Sequence, residues 1–104
     1  MAVVSINKDL SSFSYHGKKT FGTTATQLLE QDYPITKGIQ LKAASTNTHT
    51  IHIGSTLIVT AGTNDSLDGF PLSAGEGLFV PCVKTSSIYC IASAAGQKLF
   101  WFAI

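Results

Sequence analysis

With 104 residues, 44% of them hydrophobic and only 12% charged, the chain has room for one domain and is short of the ions that solvate an ordinary surface. The net charge of +1 excludes a strong field of either sign, and all seven basic residues are lysine, so the arginine fork that clamps phosphates and reads guanine is missing. No run approaches the ~18 apolar residues of a membrane-spanning helix, and "MAVVSINKDL" lacks the pattern of a secretory leader. The expectation is synthesis in a cytoplasm, with no nucleic-acid or membrane partner.

Helical periodicity is almost absent, whereas Thr, Ser, Val and Ile alternate repeatedly at period two. "AVVSI" and "SFSYH" read as strands, with Met1 to Lys8 as an alternative arm lying on a neighbour, and "HGKK" (His16 to Lys19) reads as a solvated turn. "QLLEQ" fits a strand or one helical turn, the strand being favoured. "GIQLKAAS" sets Ile39, Leu41 and Ala43 against Gln40, Lys42 and Ala44; after "TNT", "HTIHIG" sets Ile51 and Ile53 against Thr50 and His52, so the two runs predict a hairpin.

"STLIVTA" offers another short strand before the loop "GTNDSLDGFPLSAGEG", whose Phe70, Pro71 and Leu72 should fold back on the body. "LFVPCV", "SSIYCIAS" and "KLFWFAI" follow as strands. Pro81 cannot donate to a ladder and belongs on an edge.

This spacing predicts an all-β fold: one small β-sandwich or barrel, jelly-roll-like, with little or no helix. Residues 1–104 form one domain, with 38–104 as its core and 1–37 as an arm plus additional strands. Leu99, Trp101 and Ala103 oppose Phe100, Phe102 and Ile104, while Leu78, Val80 and Cys82 oppose Phe79, Pro81 and Val83. Both faces of these runs are apolar, yet a two-layer domain fills its core with only one. The other face, bearing Phe79, Phe100 and Phe102, is expected to meet another chain. Self-cover by the loop carrying Phe70 and Leu72 is the competing expectation.

Chemistry has few footholds. His49 and His52 would diverge on a strand, and His16 lies far away in sequence, so no metal site is expected. "NDSLDG" (Asn64 to Gly69) imitates part of a calcium loop, but Gly75 stands where the closing glutamate belongs, and an Asx-rich turn is the simpler reading. Glu76 lacks a recognisable partner for acid–base work. No nucleophile elbow, phosphate loop or C-x-x-C occurs, so the chain is expected to have no catalytic residues, no cofactor and no enzymatic role. Cys82 and Cys90 are expected as reduced thiols, a bridge across a hairpin being the alternative. Tyr15, Tyr33, Phe79 and Trp101 would allow sugar stacking if exposed, which keeps a carbohydrate-binding module open.

The order of three runs carries a resemblance: "GIQLKAASTNTHTIHIG", then "DGFPLSAGEGLFVPC", then "IYCIASAAGQKLFWFAI". This succession, from Gly38 to Ile104, resembles small virion proteins of tailed bacteriophages. The resemblance implies a capsid decoration (cement) protein, an all-β homotrimer that binds the major capsid protein on the virion surface. A head- or tail-fibre or host-adsorption component is the alternative within that group. Its intersubunit or capsid contacts are expected at Phe79, Phe100 and Phe102.

Overall fold

A computed structural model describes residues 15–82 and 84–104 of the chain. Among them run eight strands: β1 (Tyr15–Phe21), β2 (Thr26–Gln27), β3 (Gly38–Ala43), β4 (Ile51–Gly54), β5 (Phe70–Leu72), β6 (Gly77–Pro81), β7 (Tyr89–Ala92) and β8 (Gln97–Ala103). A single 3₁₀ turn, Thr85–Ser87, is the helical content of the described residues. The strands form two four-stranded sheets, sheet A in the order β1-β8-β3-β6 and sheet B in the order β2-β7-β4-β5.

The pairing is nested. β1 meets β8, β2 meets β7, β3 meets β6 and β4 meets β5, all antiparallel, as in one long hairpin folded at the 55–69 loop. Rolling that hairpin up adds the seams β3–β8 and β4–β7. The result is the jelly-roll form of the β-sandwich, two sheets rather than a closed barrel.

Alternation builds the core. Every second residue of β8, namely Gln97, Leu99, Trp101 and Ala103, points inward. These meet Ile39, Leu41, Ile51, Leu72 and Cys90, with Leu28 and Ile35 supplied by irregular backbone. Gly17 is required on β1 because the Trp101 indole lies over it, 2.8 Å from where a Cβ would sit. The apolar final run is therefore a central strand between β1 and β3, not a fraying end. Beyond it, the main-chain oxygen of Ile104 accepts the N–H groups of Thr36 at 3.2 Å, Lys37 at 2.9 Å and Gly38 at 3.2 Å.

Several expectations are corrected. Gly38–Ala43 and Ile51–Gly54 do not pair as a hairpin: they belong to different sheets, and residues 44–50 cross between them. Alternation fixes which face a residue takes but not which strand it pairs with. "STLIVTA" is turn rather than strand, apart from an isolated bridge between Thr60 and Asp68, because only Val59 of its apolar run is buried. "HGKK" lies inside β1 rather than in a turn, with Lys18 outward and the Lys19 Nζ donating to the Gln27 carbonyl at 2.6 Å. Of "QLLEQ", Gln27 alone joins a strand. Leu28 is buried next to it, its N–H donating to Ile88 O at 2.8 Å. "AVVSI", the proposed arm over Met1 to Lys8, and Val83 lie outside the described residues. Cys82 and Cys90 are free thiols, so the alternative of a bridge is set aside.

Candidate docking face

The outward positions of sheet A make one continuous surface. Register places His16 opposite Phe102, Phe102 opposite Gln40, and Gln40 opposite Phe79, a row crossing all four strands. One pleat along, Lys18 faces Phe100, Phe100 faces Lys42, and Lys42 faces Gly77. Directly opposed side chains on one face are within contact range. The Lys18 Nζ sits 5.8 Å from the Phe100 ring centre, and the His16 imidazole stacks near Phe102 with ring centres 6.4 Å apart. Lys98 follows outward on β8.

Phe79, Phe100 and Phe102 are 42%, 46% and 36% exposed, so the three residues singled out from sequence share this open face. The loop that offered self-cover goes elsewhere. Leu72 enters the core, and Phe70 stays 58% exposed beside the β4–β5 tip. Sequence reasoning missed the partners of the rings, namely His16, Lys18, Gln40, Lys42 and Lys98. Alternation marks Gln40 and Lys42 as outward on their own strand, but which rings they join depends on strand pairing, which local sequence does not carry.

The sugar-stacking set does not form a platform. Trp101 is 8% exposed rather than open, because it is an inward residue of β8. Tyr15 stacks on Tyr33 at 4.4 Å between ring centres, and Tyr33 lies 6.3 Å from Trp101, so the rings occupy one another's faces. Only Phe79 of that group is exposed.

The remaining polar candidates are spent on loops. Asp68 Oδ1 accepts the Thr60 hydroxyl at 2.5 Å and the N–H groups of Gly62, Thr63 and Asn64 at 2.8, 3.0 and 3.2 Å. These bonds, led by the Thr60 hydroxyl, hold the Asp68 carboxyl below its usual range. Asn64 Oδ1 accepts the Ser66 N–H at 3.0 Å, completing an Asx-type turn. Glu76 closes the β5–β6 turn by accepting the Ser73 N–H at 2.7 Å. His49 Nδ1 meets the Thr48 hydroxyl at 3.0 Å, while His52 Nδ1 is 3.3 Å from Gly69 O. Among the described residues no cluster of three His, Cys, Asp or Glu could hold a metal ion.

A second apolar feature opens at the β5–β6 side of the sandwich. It is a cleft of about 760 Å³ lined by Ile53, Ile58, Val59, Phe70, Val80 and Cys82 among others. Burial raises the thiol of Cys82 above its ordinary range there, and pushes that of core Cys90 from 9.0 up to about 12. No helix of the described residues is long and apolar enough to cross a membrane. Compared with protein-family models, curated proteins and solved structures, the chain has no match.

Proposed function

We propose that this chain is a structural virion protein, a capsid decoration protein that binds the outside of a shell of major capsid protein and stabilises it. The observation that carries the reading is the trio Phe79, Phe100 and Phe102, gathered on one open four-stranded sheet while the opposite side of that sheet fills the core. The rings expose about 250 Å² between them at typical aromatic areas. Covering that area is worth up to about 6 kcal/mol before the costs of association.

The mechanism is mechanical. Packaged nucleic acid pushes shell subunits apart, and a rigid sandwich seated across their joint resists the separation. The sequence resemblance supplies the trimer: three copies fixed together would engage three shell sites at once. Such linkage strengthens attachment by about a hundredfold or more where the geometry allows simultaneous contact. The jelly roll suits the role because the hydrogen-bonded strands of sheet A hold the three rings in one register on one face. Its fold alone assigns no function.

The test is add-back to purified shells lacking the chain. Wild-type protein should bind in amounts comparable with the shell subunit and raise the temperature at which shells rupture. A Phe100→Asp, Phe102→Asp variant should fold but fail to decorate. Persisting decoration by that variant would refute the reading, and a copy number of only a few per particle would favour a fibre or adsorption component.

A further inference from the structure

The aromatic face also carries lysines and, among the described residues, no carboxylate. Its outward positions are His16, Lys18 and Thr20 on β1, Lys98, Phe100 and Phe102 on β8, Gln40 and Lys42 on β3, and Gly77, Phe79 and Pro81 on β6. Three of the six described lysines stand here and none of the described carboxylates does. Lys18 and Lys42 flank Phe100 from the two neighbouring strands, and Lys98 lies two residues along β8, about 7 Å away. No carboxylate of the described residues neutralises Lys42 or Lys98.

We infer that the outer face of sheet A docks on an acidic protein surface of a different chain, in which a strip of carboxylates runs beside an apolar strip. The inference rests on the decoration reading and names the chemistry of the shell surface that reading requires. The row Phe102, Gln40, Phe79 takes the apolar strip, and the row Lys18, Phe100, Lys42 together with Lys98 takes the carboxylates about 7 Å away. Charge complementarity of this kind sets register and the rate of encounter.

Two other occupants fit worse. A second copy packed face to face would set lysine rows against lysine rows. Its described acids, Glu30, Asp32, Asp65, Asp68 and Glu76, all stand off the outward positions of sheet A, so a face-to-face copy brings none of them to the lysines. A single-stranded nucleic acid would use lysines and aromatic rings, but the chain has no arginine and a net charge of only +1 to hold a phosphate backbone.

The experiment measures binding of the full chain to shells stripped of it, at about 50 and about 500 mM salt, with an oligothymidylate as a separate probe. Lys42→Glu, Lys98→Glu should weaken shell binding at low salt by about tenfold or more, and Lys42→Gln, Lys98→Gln by less. Phe79→Ser should weaken binding while leaving the salt dependence unchanged. The lysine variants should melt at the wild-type temperature, and Phe79→Ser, which gives up part of its packing on Gly38, should still melt cooperatively above the assay temperature, which separates lost docking from lost folding. Equal binding by the wild-type and glutamate variants at both salts would overturn the acidic partner and leave decoration standing. Shells that bind none of the proteins would overturn both. Oligothymidylate binding that disappears in the glutamate variant would overturn the inference in favour of nucleic acid.

Discussion

Gln97 gives the sharpest test of how the docking face is held in place. Only 3% exposed, it opens β8 with its side chain turned inward. Its Oε1 accepts the N–H groups of Thr48 and His49, each at 2.9 Å, and its Nε2 donates to Ala95 O at 2.9 Å and the Thr48 hydroxyl at 3.2 Å. One amide therefore pins the 44–50 crossing to the turn before β8. Gln97→Leu keeps much of the volume and removes all four bonds. Orphaning two main-chain donors costs about 1 to 3 kcal/mol each, and water reaching the exposed loop recovers part of it, which leaves about 2 to 4 kcal/mol. That is a large share of the ~5 to 15 kcal/mol that holds a domain together. The melting temperature should fall by about 10 to 25 °C. Urea and thermal unfolding followed by circular dichroism measure it. Gln97→Glu is the control, keeping the two acceptor bonds but turning a bare oxygen on Ala95 O, so its loss should shrink as the pH falls and the carboxyl gains a proton. If Gln97→Leu unfolds within about 0.5 kcal/mol of wild type, the clamp argument is wrong. The clamp bears on docking because Asn47, in the same crossing, bonds both the N–H and the carbonyl of Lys98 at 2.8 Å.

Gly38 has φ of 152° with Val80 O, the Phe79 ring and Pro81 packed where a Cβ would go, so Gly38→Ala should lower the urea midpoint by the equivalent of about 2 kcal/mol or more. Asp68 has its acid strength raised by its loop bonds, so its contribution is whole above its ordinary value of 3.8 and fades as pH drops through the lower folded value. Amide exchange in residues 60–69 should quicken at the acid end of that window, and Asp68→Asn should abolish the pH dependence. Cys90 has the opposite sign. Its stabilising effect is complete below 9.0 and is lost as pH rises toward about 12, an interval worth about 4 kcal/mol. In the native protein a thiol reagent at mildly alkaline pH should label Cys82 well before Cys90.

The sequence reading succeeded wherever period two was enough. Leu99, Trp101 and Ala103 against Phe100 and Phe102 was visible in the final run, as was the edge position of Pro81 on β6. It failed where partners are distant along the chain. "GIQLKA" and "HTIHIG" look like neighbours because the five residues between them, "ASTNT", read as a turn and carry no mark of a change of sheet. The clamp that makes the crossing possible is Gln97, about fifty residues away, and nothing local announces it. "HGKK" looked like a turn because two adjacent lysines beside glycine normally mark solvent. What makes it strand is Trp101, which needs the bare Cα of Gly17 beneath its indole. The docking rings were legible one at a time, but their lysine companions emerged only once β1, β3 and β8 were side by side.

Nested pairing has a further consequence for how the molecule comes into being. Since β8 occupies the middle of sheet A, a nascent chain on the ribosome cannot zip that sheet until its closing strand has left the exit tunnel. Until then β1 and β3 wait without the neighbour they share, and such long-range β pairing is intrinsically slow. Assembly of the sandwich is thus deferred until β8 is free to pair, and chains synthesised short of it expose sticky ribbons that cellular chaperones would have to shield.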